Sequence, residues 1–333
     1  MDNIEIPIQL INLDIGYNSN KPVLSNINQL VPKGELIAVI GKNGIGKSTL
    51  LRTITKLQHP LNGDIIVSDK NINSYSQKEL AHKISFVSTE IIKVANLKVI
   101  DLVSFGRYPY TNWLGKIENK DKKRIYEALD MVGMLNFENR NINEISDGER
   151  QRVMIARTLA QDTDIIILDE PTAFIDLPNR YEIISLLNYL TKHKSKTIIF
   201  STHDINIAIK ETDKLWLMYD NKLISGAPED LILSEELYNI FDNTKLFFDK
   251  ISGEIKIEKK YNKFINLAGE GDAFYLTKMA LERLGYKVEN SISNGKFIKV
   301  EKINNKYTWK IENKNIKKVF YSIYDLSLYL SKI

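Results

Sequence analysis

Eight consecutive residues, Gly41-Lys42-Asn43-Gly44-Ile45-Gly46-Lys47-Ser48, constrain the fold of this 333-residue chain more than any other feature. They match the pattern G-x-x-x-x-G-K-[ST] and lie between two contrasting stretches. Gly34 to Ile40 is a short apolar run that suits a buried strand, and Lys47-Ser48-Thr49-Leu50-Leu51-Arg52 carries good helix formers. A strand, a glycine-rich turn and a helix in this order let the backbone curl until successive N–H groups point at phosphate oxygens. The helix N-terminus adds a favourable dipole. Lys47 is placed to reach the outer phosphates, and Ser48 to offer its hydroxyl to Mg²⁺.

The rest of the pattern agrees with an α/β fold. Pro7 to Tyr17 alternates apolar and polar residues, while Gly63 to Ser68, Ile84 to Ser88, Asp164 to Leu168 and Thr197 to Ser201 read as short strands. Ile100 to Phe105, Lys120 to Val132, Val153 to Ala160 and Tyr181 to Leu190 have helical spacing. This alternation predicts a largely parallel sheet covered on both faces. The absence of cysteine excludes a disulfide scaffold, a thiolate metal site and a cysteine nucleophile. Met1-Asp2-Asn3-Ile4-Glu5 lacks the basic-then-apolar pattern of a leader, and no apolar run approaches the ~20 residues that span a bilayer. The chain is therefore expected to be intracellular and not to cross a membrane by itself.

Charge divides the chain. Residues 1–249 hold 29 basic and 33 acidic side chains, whereas residues 250–333 hold 17 and 9, which places a domain boundary near 250. Beyond a charged stretch, Ile251 to Lys260, the segments Phe264 to Ala268, Phe297 to Lys302, Tyr307 to Ile311 and Lys318 to Tyr321 fit strands. Ala273 to Leu284 and Ser322 to Leu330 fit helices. This is a small α+β unit. Gly269-Glu270-Gly271 within it lacks the third glycine of a dinucleotide fingerprint and reads as a turn.

Three further residues bear on chemistry. The apolar strand Asp164 to Leu168 ends in Asp169-Glu170, which puts both carboxylates at the C-terminal edge of the sheet, where α/β ligands bind. Asp169 is expected to hold Mg²⁺ and Glu170 to polarise water for in-line attack on a terminal phosphate. His203 follows the strand Thr197 to Ser201, and a neutral imidazole there can hydrogen-bond that phosphate and hold the water. His59, His82 and His193 fall in loops or on exposed faces and are read as structural.

Ile145-Ser146-Asp147-Gly148-Glu149-Arg150-Gln151-Arg152 resembles the L-S-G-G-Q signature of ABC ATPases, with their usual R-Q-R after it. From about Ile8 to Leu233 the chain is similar to that family in motif order. Gly16-Tyr17 resembles its adenine-stacking aromatic, Pro171 to Asp176 its loop ending in an aspartate, and His203 its switch histidine. The resemblance implies a P-loop NTPase fold with an antiparallel β subdomain and a helical subdomain over about 95–160, the cassette being 1–249 and the accessory α+β domain 250–333. It also implies a head-to-tail homodimer with two ATP molecules at the interface. Each ATP would be held by Tyr17 and by Gly41 to Thr49 of one chain, and by Ser146, Gly148 and Asp176 of the other. Mg²⁺ would be held by Ser48, Asp169 and Thr89.

Two departures from the family stand out. Thr89 and then Glu90 stand where the family has a glutamine, and either the Thr89 hydroxyl or the Glu90 carboxylate could replace it as a ligand; Asp147 replaces a glycine and Glu149 a glutamine. Asp147 is expected to point away from phosphate. Leu97 to Tyr110, with Gly106-Arg107-Tyr108-Pro109-Tyr110, looks like the helical subdomain of ATPases that serve importers of iron chelates, haem and cobalamin. Its aromatic residues, with Trp113, would form a groove for integral membrane permease subunits, which in turn work with a substrate-binding protein. That family resemblance implies a peripheral position on the cytoplasmic face of the membrane, with no nucleic acid expected. The alternative is a soluble non-transport ABC ATPase that regulates a nucleic-acid or ribosomal partner.

Overall fold

The computed structural model describes residues 5–18, 21–88, 96–112, 115–173, 175–241, 244–249, 253–289, 297–303, 305–313 and 316–332. They form two units, Met1–Thr244 with Phe248–Ile255, and Lys245–Phe247 with Lys256–Ile333.

In the first unit the elements run β1 (Ile8–Ile15), β2 (Leu24–Val31), β3 (Leu36–Gly41), α1 (Lys47–Ile54), β4 (Asn62–Val67), β5 (Lys70–Asn71), α2 (Gln77–Ala81) and β6 (Ile84–Val87). They continue with α3 (Val99–Ser104), α4 (Asn119–Met131), α5 (Asp147–Ala160), β7 (Ile165–Leu168), α6 (Leu177–Lys194), β8 (Thr197–Ser201), α7 (Ile205–Glu211), β9 (Lys214–Tyr219), β10 (Lys222–Gly226) and α8 (Pro228–Leu233). One sheet, ordered β2-β1-β4-β5, is antiparallel; the other, β10-β9-β3-β8-β7-β6, is parallel except for β10.

The central strands are almost wholly apolar, with Thr197 and Ser201 at the ends of β8, because each faces two cores. Leu36, Ala38 and Ile40 of β3, Ile166 and Leu168 of β7, and Ile198 and Phe200 of β8 pack with α3 to α6. Their neighbours Ile37, Val39, Ile165, Ile167 and Ile199 pack with Leu50, Leu51 and Ile54 of α1 and with the antiparallel sheet. Strand register sets Val39 beside Ser201 and Leu168 beside Phe200. Gly41, Asp169 and His203 therefore leave the sheet at one edge.

The helical subdomain is joined by a buried charge pair. Arg107 donates from Nε to Asp121 Oδ1 (2.9 Å) and from Nη1 to the Ala160 carbonyl (2.8 Å). Gly106 allows the approach: a Cβ there would stand 2.1 Å from the Arg157 carbonyl oxygen. The helix α5 starts six residues before the expected Val153, at a capping box that Ser146 and Glu149 make reciprocally. The strands β9 and β10 were not anticipated, although Leu215 to Met218 is an apolar run.

In the second unit and the hairpin leading to it, β11 (Leu246–Asp249) pairs with β12 (Glu254–Ile257). There follow β13 (Lys263–Ala268), α9 (Gly271–Arg283), β14 (Tyr286–Glu289), β15 (Phe297–Ile303), β16 (Lys306–Asn313), β17 (Ile316–Phe320) and α10 (Ile323–Ser331). The sheet order is β14-β13-β15-β16-β17, with β13 parallel to both neighbours and the rest antiparallel. Ile265, Leu267, Ile298, Trp309 and Ile311 pack with Leu281, Leu326 and Leu330. Trp309 Nε1 donates to Thr277 Oγ1 (2.7 Å), which donates to the Ala273 carbonyl (2.6 Å), so the indole N–H is satisfied inside this core.

Candidate active site

The loop between β3 and α1 encloses a cavity of about 430 Å³. Gly46 adopts φ +108°, and a Cβ there would lie 2.3 Å from Val23 Cγ1, so only glycine lets the loop pass. Lys47 is buried and donates to the carbonyls of Gly41 (3.0 Å) and Lys42 (3.3 Å). Burial lowers the pKa of its ammonium, and the nearby Glu170 and Asp169 oppose that shift. Tyr17, 77% exposed, stands at the rim with its hydroxyl 3.3 Å from Thr49 Oγ1. Asn43, Gly44, Ser48, Glu170 and His203 complete the polar lining. Gly41 and Lys42 serve through their carbonyls, while the Ile45 side chain turns into the core shared with the antiparallel sheet.

The two acids differ in environment. Asp169 is buried and accepts a hydrogen bond from Ser201 Oγ (2.7 Å). Glu170 has a left-handed backbone, φ +49°, and its N–H donates to the same Ser201 oxygen (2.8 Å). Its carboxylate bonds His203 Nε2. Behind His203, Asp204 caps α7 through Ile207 N–H and pairs with Arg180 Nη1 (2.8 Å). No group of three or more His, Cys, Asp or Glu side chains able to hold a metal occurs among the described residues. A hydroxyl and one carboxylate beside a phosphate cradle suit a hard cation that takes its other ligands from phosphate and water, as Mg²⁺ does. Thr89, with Glu90, lies outside the described residues, as do Trp113 and Phe174.

Ser146, Gly148 and Asp176 are not among the residues lining this cavity. Ser146 caps α5: its hydroxyl accepts the Glu149 N–H (3.2 Å), while Glu149 takes the Ser146 N–H (2.7 Å), which holds the Glu149 carboxyl below the usual range. The glutamate thus performs a capping task that a glutamine could also perform. Asp147 is turned to Arg150 (2.9 Å). Asp176 accepts from Asn179 Nδ2 (2.5 Å), and Asn179 accepts from Arg152 (2.5 Å), so the loop before α6 is tied to the signature helix.

Tyr108 is 75% exposed, but Tyr110 packs inward: its hydroxyl donates to the Gln161 carbonyl (2.9 Å) and its ring lies 3.7 Å from the Arg107 guanidinium. Ser201 and Asn179 were not anticipated. The only signal for Ser201 is a polar residue closing an apolar strand two positions before His203.

A phosphate cradle, paired acids and a histidine at one edge of this sheet define an ATP-binding cassette. Residues 24–173 match the ABC transporter family, and residues 262–331 match the iron ABC transporter C-terminal domain. A petrobactin import ATP-binding protein of Bacillus anthracis is 37% identical over 66% of this chain and 81% of its own length. An inward-facing putative metal-chelate type ABC transporter is similar with a TM-score of 0.64, at 28% identity, over 76% of this chain and 96% of that one. A dimeric bacterial ABC transporter cassette is similar with a TM-score of 0.59, at 28% identity, over 66% of this chain and 98% of that one. The chain belongs to the ABC transporter ATP-binding proteins and is an ATPase.

Proposed function

We propose that this ATPase powers an importer of a ferric siderophore or related iron chelate, working as a homodimer against separate membrane permease subunits. The observation that carries the iron reading is the match of 262–331 to a domain of iron ABC transporters, with the petrobactin-import relative in support. Haem and cobalamin remain within the broader importer class but have no such support. The dimer reading rests on the separation of Ser146, Gly148 and Asp176 from the cavity that holds Lys47, and on the dimeric cassette this chain resembles. No helix among the described residues is long and apolar enough to cross a membrane, which fits an ATPase held at the cytoplasmic face by its permease.

In this reading the backbone of Gly44 to Ser48 and the Lys47 ammonium receive the phosphates, and Tyr17 stacks on the adenine. Ser48 and Asp169 would hold Mg²⁺, which when bound draws negative charge from the phosphates. Glu170 accepts a proton from the attacking water, and His203 fixes the Glu170 carboxylate while facing the terminal phosphate. The signature helix of the second chain supplies N–H groups to the same phosphate.

Reconstitution of the chain with its permease and binding protein in proteoliposomes tests the reading. ATP-dependent uptake of a ferric siderophore, absent for haem and cobalamin, is the expected result. Failure to bind any polytopic membrane protein, together with salt-sensitive binding of nucleic acid, would overturn it in favour of a non-transport ATPase.

A further inference from the structure

The acid that takes the proton sits on a backbone that glutamate rarely adopts, φ +49°. Such a conformation persists only where its surroundings hold it, and here one side chain does so. Ser201 ends β8 fully buried, and its hydroxyl works in both directions: it donates to Asp169 Oδ1 (2.7 Å) and accepts from Glu170 N–H (2.8 Å). A serine hydroxyl carries one proton and two lone pairs, so it can donate to the carboxylate and accept from the amide at the same time. The hydroxyl thereby ties Asp169 and Glu170 to the strand whose continuation carries His203.

We infer that Ser201 is the positioning residue of this ATPase, locking the backbone turn that aims the Glu170 carboxylate at His203 and the phosphate cavity. The inference rests on the reading of Glu170 as the proton acceptor. Ser201 does not line the cavity and so has no direct contact to offer the nucleotide. Removing its hydroxyl leaves the Glu170 N–H and Asp169 Oδ1 without this partner. A displacement of about 1 Å at a reacting group costs on the order of 10²-fold in rate.

The test uses the full chain with Ser201→Ala and Ser201→Thr. Nucleotide binding is titrated with a non-hydrolysable ATP analogue, and turnover is measured at saturating ATP. For Ser201→Ala, kcat is expected to fall about 30-fold, with analogue affinity within about threefold of the parent and the same number of sites per chain. The unchanged number of sites separates misalignment from a partly unfolded sample. Ser201→Thr, which keeps the hydroxyl, should turn over within about fivefold of the parent. If Ser201→Ala is insoluble, Ser201→Cys, with its weak thiol in place of the hydroxyl, is held to the same criteria. A kcat within threefold of the parent, or an affinity that falls in step with kcat, overturns the inference. Glu170→Gln, measured in parallel, separates the two readings. If Glu170→Gln is inactive while Ser201→Ala is fully active, only the role of Ser201 fails. If Glu170→Gln itself turns over, the proton-acceptor assignment fails and this inference with it.

Discussion

The two units of the chain treat charge in opposite ways. The first buries Lys47, Arg107, Asp121 and Asp169, each held by a carbonyl, a hydroxyl or an opposite charge. The second buries no charged side chain among its described residues, and its inner polar contacts are neutral, Trp309 with Thr277 and the Tyr286 hydroxyl with the Leu330 carbonyl. Its ion pairs are accessible: Glu301 lies between Lys299 (2.7 Å) and Lys310 on the sheet, and Lys278 pairs with Glu282 along α9 (3.9 Å). Buried charge is costly unless paired and persists where it has work to do, in chemistry or in fixing a register. The contrast locates the chemistry in the first unit, and it makes the second a domain that holds itself together by apolar packing.

The strongest way to break that contrast is Glu170→Gln. It keeps the size and the His203 contact but removes the proposed base, so turnover should fall 10²- to 10⁴-fold while ATP binding stays intact. Steady-state hydrolysis beside equilibrium nucleotide binding measures both. Turnover within threefold of the parent would move the chemistry elsewhere.

Next in size is Arg107→Ala. It strands Asp121 with no cation in a site almost closed to water, at a cost of about 3–5 kcal/mol. Calorimetry should show one transition falling by on the order of 10 °C while the transition of the second unit stays in place. A loss below about 1 kcal/mol would mean that water reaches Asp121.

How far the sequence revealed these features depends on how local their causes are. The phosphate loop was legible because its glycines, lysine and flanking helix formers act within nine residues, and Asp169, Glu170 and His203 because each ends an apolar strand. The inward turn of Tyr110 was not legible, since its partners, Gln161 and Arg107, are set by how α5 meets the preceding turn. Ser201 escaped for the same reason: its meaning comes from the pairing of β7 with β8, 31 residues apart at the Glu170 amide. The start of α5 could have been read from Ser146 and Glu149, a capping box with its own spacing.

Within the second unit, Trp309→Phe removes the indole N–H but keeps the aromatic area. Thr277 still donates to Ala273, so no buried donor is orphaned, and the expected cost is about 1 kcal/mol, confined to that unit's transition. ATP hydrolysis should not change. A loss of hydrolysis would show that the core of the second unit supports the first.

The smallest effect belongs to Glu301. Hydrogen bonds from Lys299 and Lys310 hold its carboxyl down at about 2, below the ordinary 4.5. A carboxyl depressed on folding contributes stability that is fully present above the unfolded pKa and is lost as pH falls from about 4.5 toward 2. At neutral pH Glu301→Gln should therefore lower the melting temperature of the second unit by less than Trp309→Phe does, because accessible ion pairs are screened by water and salt. NMR titration of the Glu301 side chain in the parent should give a midpoint near 2, and Lys299→Ala with Lys310→Ala should return it toward the ordinary value. A parent midpoint already near 4.5 would mean that the two lysines do not hold the carboxylate in solution. The surface charge of the second unit would then be a set of independent ions, in sharper contrast still with the paired, buried charges around Lys47 and Asp169.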